Sequence, residues 1–559
     1  MKTYLTMFAI AAVFLAFSAL IGSRDRKARE EKERRRLSSA FGKKGNKAYP
    51  DGRLAQIPVY FERHPGDFQI DDITWNDLDM DLLYQSMDTT CSSPGEEYLY
   101  RLLRCPRTGT GSPLSAEGMK WWTAHEEERI RVQRILLTAG INSKYSVYDY
   151  LDRLDSLEDR SPVRDLPAVI LPIVSLAVMA YRPPVGICCL LASLAFNMVS
   201  YFKVKRQIGP YLFTIRYILR LLRCADRLSG ESFPHYEKEK ETMKSLVRSF
   251  KRFSTGSSIL LRNTSGTGSG NPLDLILDYL CILFHLDLFK FGSMVRELRG
   301  KEKEIDDLIA SIGTIDAQIS IASFRESLPF YCIPDLSGSH FEAEGLIHPL
   351  LNDPVPNSLH TDRPVLLTGS NASGKSTFLK AAALAALLSQ TIDTAPAKSY
   401  RNCCCRIYTS MALRDDIRSG ESYFIVEIRS LKRVLDASCD GSEIPVMCCV
   451  DEVLRGTNTI ERISASAEIL DQLAKRRIRI FAATHDMELT DLLREKYVNY
   501  HFSETMDGGD VTFSYKLLEG PADSRNAIRL LRALGYDDAI ADRAQERAKR
   551  FTETGRWTM

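Results

Sequence analysis

Apolar and polar positions follow three different patterns along this 559-residue chain. Residues 70–160 and 203–327 read as mostly helical, broken once by a Gly/Ser/Thr-rich loop at 263–271. The run Ser92-Ser93-Pro94-Gly95-Glu96-Glu97 reads as a helix start, with a capping hydroxyl, an early proline and acids behind it. Past residue 328, short β-type runs alternate with helices, as expected of an α/β domain. The third pattern has no polar face at all. Residues 4–21 are almost entirely apolar, about 18 residues, close to the span of a hydrocarbon core. Residues 166–202 carry one charge, Arg182, in Tyr181-Arg182-Pro183-Pro184. The prolines suit a turn between two helices. The two pieces, 166–181 and 185–202, would each cover roughly 24–27 Å, which is short for a span. Pro167 and Pro172 would kink the first and could make the hairpin re-entrant. A buried hairpin in a soluble core is the competing reading; the missing polar face, with Lys203, Lys205 and Arg206 directly behind, favours membrane.

Charge orients these segments. Residues 24–36 hold eight Lys/Arg against four acids. Basic flanks stay on the cytoplasmic side, so the N-terminus would lie outside and the remainder inside. Three segments (4–21 and a spanning hairpin) would leave the C-terminal domain in the cytosol. The alternative for the first segment is a cleaved signal peptide. Overall charge is nearly balanced, 74 basic against 72 acidic residues, which argues against a chain-wide nucleic-acid footprint. The 13 cysteines show no zinc-like spacing. Neighbours such as Cys448-Cys449 on a strand would point to opposite faces, so reduced and largely buried thiols are expected. The length requires two to four domains. The boundaries drawn here are 1–23, a transmembrane anchor; 24–69, a charged juxtamembrane linker; 70–330, a helical core containing hairpin 166–202; and 331–559, an α/β domain.

Candidate chemistry sits in the last part. Gly369-Ser370-Asn371-Ala372-Ser373-Gly374-Lys375-Ser376 is a complete GxxxxGKS loop between the apolar run Val365-Leu366-Leu367 and a helical run at 378–388. Strand, loop and helix in that order make a phosphate site. Lys375 would reach the β- and γ-phosphates, and the Ser376 hydroxyl would ligate Mg²⁺. The apolar run at 446–450 ends in two acids. Asp451 suits Mg²⁺ contact, direct or through water, and Glu452 suits polarising an attacking water. A second strand-like run ends at Thr484-His485-Asp486, where His485 could hydrogen-bond a γ-phosphate or the lytic water. A signal peptide would export this domain away from its nucleotide.

The order GSNASGKST (369–377), SGESYFIVEI (419–428), VDEVLRGTNTIE (450–461) and ATHDMEL (483–489) resembles the ATPase domain of the mismatch-repair MutS family. The likeness covers roughly residues 345–550, and Asp451-Glu452-Val453-Leu454-Arg455-Gly456-Thr457-Asn458 is its most diagnostic segment. It implies an ABC-type P-loop ATPase, binding ATP and Mg²⁺, that dimerises head to tail with two composite sites. Gly369, Asn371, Gly374, Lys375, Ser376 and Thr377 match the phosphate loop. Asp451 and Glu452 match the metal-associated and catalytic acids, and His485 the switch histidine. Ser422 matches the signature serine that touches the partner's γ-phosphate. Ser370 stands where proline is usual, and Val355 where an aromatic often stacks on adenine. Upstream, residues 309–317 and 321–323 resemble the end, and residues 72–79 with 93–96 the beginning, of the lever region that leads into this domain. No mismatch-reading domain is recognisable, and the nearest likeness overall is to membrane-anchored MutS-like proteins.

The expectation is therefore a membrane-anchored homodimeric ATPase whose nucleotide cycle moves helical levers. The alternative is a membrane-tethered MutS relative that binds DNA structures. Arg216, Arg220, Arg223, Arg227, Lys238, Lys240, Lys244, Arg248, Lys251 and Arg252 would serve it, although Glu237, Glu239 and Glu241 interleave with them. An ABC transporter subunit is the third class, disfavoured by so few membrane segments.

Overall fold

The computed structural model describes residues 24–557, apart from 25–26, 110, 143–145, 147, 149–165, 258–278, 371–372, 412–422, 455–456, 477, 508–509, 523–527, 529–530, 532–534 and 556. The apolar segment at 4–21 and the loop at 263–271 lie outside the described residues.

Helices fill the first part of the chain: α1 (27–40), α2 (Ser93–Arg104), α3 (Glu126–Ala139), α4 (Leu166–Tyr181), α5 (Pro183–Gly230), α6 (Glu237–Ser249), α7 (Leu286–Leu298) and α8 (Glu302–Ser327). The helix start expected at Ser92 is present: its hydroxyl accepts from Gly95 N and Pro94 sits in the first turn. That cap satisfies an otherwise orphaned N–H. From Ser311 to Arg325 helix α8 is buried on every side. It crosses α2 so closely that a Cβ on Gly95 would fall within 2.8 Å of Asp316 side-chain atoms. Asp316 accepts there from Ser92 Oγ (2.5 Å) and Cys91 N (3.0 Å).

The segment expected as a linker is only partly one. Gly42 N donates to Ser323 Oγ (3.1 Å). Lys47 pairs with Glu96 (2.7 Å), and Arg53, fully buried, pairs with Glu96 (2.6 Å) and Glu97 (2.9 Å). Residues 42–57 are thus a strap on the helical core. A buried charge of this kind is tolerated only with its partners in place, and those partners lie too far along the chain for local composition to reveal them.

The apolar hairpin is α4 and the start of α5, joined at Arg182. Its second leg is not a short piece ending near residue 202 but part of a 48-residue helix. Pro172 lies inside α4. Among the described residues, one stretch, Pro183–Gly209, is long and apolar enough to cross a membrane; α4 is shorter. Ile173, Leu191, Phe196 and Val199 are more than half exposed on this hairpin. At its base Asn197 Nδ2 donates to Ala168 O and Leu283 O, both 2.8 Å, and Tyr201 donates to Asp287 (2.9 Å). Lys205 also pairs with Asp287, which fixes α7 to α5.

The C-terminal part is α/β. Strands β1 (Ser337–Leu346), β2 (Asn357–Thr361), β3 (Val365–Thr368), β4 (Ser399–Cys403), β5 (Arg406–Ser410), β6 (Val446–Asp451), β7 (Ile478–Ala483), β8 (Val498–Asp507) and β9 (Asp510–Glu519) form two sheets. One is antiparallel, in order β2-β1-β4. The other runs β5-β6-β7-β3-β8-β9, parallel except for β9. Helices α9 (Lys375–Thr391), α10 (Tyr423–Ala437) and α11 (Thr459–Ala474) connect its strands. The central strands β3 and β6 are buried at every position, as a parallel sheet covered on both faces requires. Cys449 faces one apolar core and Cys448 the other, as strand alternation predicts. Each large aliphatic side chain buried there contributes roughly 1.5–3 kcal/mol.

Candidate active site

Strand β3 delivers the chain into the phosphate loop, and Gly374 caps α9 in the left-handed region (φ 110), where a side chain would be strained. Residues 371–372 are undescribed, so Asn371 is not placed. Lys375 is buried, and its Nζ donates to Gly369 O (2.8 Å) and Ser370 O (2.7 Å), which holds the ammonium across the loop. Ser376 and Thr377 are exposed at the start of α9. A cavity of about 500 Å³ opens over them. Its walls include Lys375, Ser376, Thr377 and, from the far side, Glu452.

Asp451 and Glu452 end β6, two strands away from β3. Asp451 is buried, and its Oδ1 has no hydrogen-bond partner among the described residues. The Ser373 hydroxyl is orphaned in the same way. Buried polar atoms normally have partners. An unsatisfied carboxylate oxygen at the strand end fits Mg²⁺, and an unsatisfied loop hydroxyl two residues ahead of α9 fits a phosphate oxygen. Glu452 has φ 58, an uncommon backbone for a non-glycine residue. Its N–H donates to Ala483 O (2.9 Å) and its Oε1 lies 2.7 Å from His485 Nε2. Asp486, next to His485, forms a two-pronged pair with Arg462 of α11 (2.6 and 2.9 Å). Leu454, also at positive φ, donates its N–H to buried Glu427 (2.6 Å).

The structure thus brings Gly369, Gly374, Lys375, Ser376, Thr377, Asp451, Glu452 and His485 to one end of the sheet. Ser422 lies outside the described residues, as do Arg455 and Gly456. Sequence reading missed four wall residues. Tyr515 of β9 stands over the loop, with Cδ1 3.3 Å from where a Gly374 Cβ would be, and stacks on Phe513. Phe502 and Phe378 line the same cavity as Val355. His348, also in its wall, is held neutral: burial first, then the Lys380 ammonium, lowers its pKa to about 4. The alternation in 513–515 was the available signal for the aromatics.

The site is also fastened to the helical core. At the far end of α9, Arg325 of α8 donates to Thr394 Oγ1 (2.8 Å), Asp393 O (2.8 Å) and Ile392 O (3.1 Å). Arg107 pairs with Asp393 (2.5 Å) and Lys380 with Asp79 (2.6 Å). Ahead of the undescribed stretch 412–422, Asp77 accepts from Thr409 Oγ1 (2.7 Å) and Met411 N (2.9 Å).

A family model described as MutS domain V matches residues 365–552. The DNA mismatch repair protein MutS of Thermotoga maritima is 32% identical over 268 residues, which is 46% of this chain and 33% of that protein. The same-named protein of Natronomonas pharaonis is 31% identical over 274 residues, 47% of this chain and 31% of its own. That of Symbiobacterium thermophilum is 33% identical over 253 residues, 42% and 28%. The chain therefore spans about a third of the length of these relatives, and the span matched by the family model contains β3, β6 and β7. Over its C-terminal half, this chain is MutS-like.

Proposed function

We propose that the chain is a MutS-type ATP hydrolase, anchored to a membrane, that couples ATP binding and hydrolysis to movement of its helical core. The observation that carries the reading is the cavity in which the phosphate-loop residues and Glu452 face each other. Loop N–H groups and Lys375 bind the triphosphate, and Tyr515 with Phe502 and Val355 offers an apolar wall to the base. Asp451 and Ser376 would hold Mg²⁺, which neutralises charge on the phosphates. Glu452 polarises the attacking water, and His485 orients that carboxylate. Positioning of this kind is most of what phosphoryl transfer to water needs. Head-to-tail dimerisation would bring Ser422 of one copy to the γ-phosphate bound by the other.

Two further features support the coupling and the anchor. Arg325 and Arg107 grip the end of α9, so a shift of the phosphate loop is passed to α8. The hairpin leaves Ile173, Leu191, Phe196 and Val199 more than half exposed, a surface suited to lipid. The domain boundaries drawn from the sequence are retained, with 42–57 reassigned to the helical core. The second reading, DNA-structure binding by a membrane-tethered relative, is favoured by the names of the similar proteins. The decisive experiment is ATP hydrolysis by detergent-purified full chain, alone and with duplex, branched and single-stranded DNA. Hydrolysis that Lys375→Ala leaves unchanged would sink the enzyme reading. Stimulation by one DNA form would favour the second.

A further inference from the structure

Away from the nucleotide cavity, the helical core carries a second concave site. Arg248 at the end of α6, Lys251 and Arg252 of the short helix Lys251–Ser254, Arg296 of α7 and Lys301 just beyond it line an open cavity of about 830 Å³. Glu297 is its one acid. None of the five basic groups forms a salt bridge with a described residue. The cluster is built rather than incidental: Lys301 Nζ donates to Ser249 O (3.4 Å) and lies 4.5 Å from the centre of the Phe250 ring, and Lys290 Nζ donates to Arg252 O (3.2 Å). Five basic groups around one concavity, with a single acid among them, make a site of positive potential suited to an anion.

Position in the fold selects the ligand. Asp287, at the start of α7, pairs with Tyr201 and Lys205 where the apolar hairpin ends. From Asp287 to Arg296 the helix rises roughly 13 Å at about 1.5 Å per residue. A bilayer's polar layer is roughly 5–8 Å deep on each side, and its surface potential reaches about another 8 Å into solvent. Arg296 therefore lies at most roughly 5–8 Å beyond the headgroup layer when the hairpin is inserted, inside the membrane's surface potential and a gap comparable to the length of its own side chain. A duplex would instead need basic groups spread over several phosphates. We propose that this cavity binds the phosphate of an anionic lipid headgroup, and so registers the helical core against a negatively charged membrane surface. The inference rests on the membrane reading of the hairpin.

The test titrates detergent-purified full chain, in neutral mixed micelles, with phosphatidylglycerol or phosphatidylcholine, and reads affinity by thermophoresis. Wild type should prefer phosphatidylglycerol. Arg252→Gln combined with Arg296→Gln, both exposed and outside the nucleotide site, should weaken that binding roughly 25-fold, at about fivefold per charge. Lys238→Gln with Lys244→Gln, elsewhere on α6, should leave it unchanged. Equal binding of the two lipids, or wild-type affinity in the double arginine variant, overturns the proposal. So does a short duplex that displaces phosphatidylglycerol and loses its own binding in the same variant, which would make the cavity a nucleic-acid site. The membrane reading is tested separately, by detergent-phase partition of the chain lacking residues 1–23, with and without Leu191→Lys combined with Val199→Lys. Partition unchanged by those charges would remove the hairpin's role whatever the titration gives.

Discussion

Oε1 of Glu452 lies 2.7 Å from Nε2 of His485. The two residues follow neighbouring strands whose register pairs Asp451 with Ala483, so sheet geometry brings them side by side. Glu452 reaches this position through a left-handed backbone, a conformation costing on the order of 1–3 kcal/mol that is kept where surroundings demand it. If the pair orients the water-polarising acid, Glu452→Gln should retain ATP binding and lose roughly 100- to 10,000-fold in hydrolysis. His485→Ala should lose less, since it removes orientation and leaves the carboxylate. Lys375→Ala should instead weaken nucleotide binding. Equilibrium binding of a fluorescent ATP analogue, alongside single-turnover hydrolysis, separates these outcomes; wild-type rates in all three would refute the site.

The composite-site proposal makes Ser422 act across the dimer. A Ser422→Arg variant and a Lys375→Ala variant should each be inactive, and mixing them should restore one intact site per heterodimer. Partial recovery of hydrolysis is the expected result. No recovery, with heterodimers demonstrated by differential tagging, would give the serine another role.

Asp316 predicts a pH dependence of the helical core. Burial pushes its carboxyl up from an ordinary 3.8 to about 7, partly opposed by the Ser92 hydroxyl and Cys91 N–H. The folded state then holds this proton at pH values where the unfolded chain has released it. Its contribution is fully present below about pH 4 and is lost as pH rises through 7, on the order of 4 kcal/mol over the window. Thermal unfolding midpoints should fall between pH 5 and 8 more steeply in wild type than in Asp316→Asn. Parallel slopes would exclude this carboxyl as the source.

The topology reading predicts that a cysteine at Pro184, with native cysteines removed, is labelled from outside intact cells, while cysteines at Asn46 and Glu443 are protected. Placing Arg182 at a bilayer centre would cost about 2.5–3.5 kcal/mol, so a loop outside the bilayer is the cheaper position. Protection at 184 in a chain that still fractionates with membrane would mean a re-entrant hairpin. Release of the whole chain on deleting residues 1–23 would mean that the hairpin is covered by protein.

The sequence by itself determined the features whose chemistry is local. The phosphate loop is legible because the glycine before Lys375 must take a positive φ and a strand and helix must flank it. Strand β6 is legible because a fully buried parallel strand is a continuous apolar run, and its two terminal acids stand out against it. The cap at Ser92 and the opposite facing of Cys448 and Cys449 follow from helix and strand geometry in the same way. Only the tertiary structure decided which distant residues meet. Arg53 looked like part of a charged linker until Glu96 and Glu97 closed around it. Tyr515 has no sequence link to Gly374, yet the β8–β9 hairpin lays it over the loop. Arg296 meets Arg252 only because α7 is fixed against α5 at Asp287 and Lys205. Periodicity and capping record what a residue needs from its immediate neighbours. A buried ion pair or a shared cavity is set by packing between elements, and leaves no repeating trace along the chain.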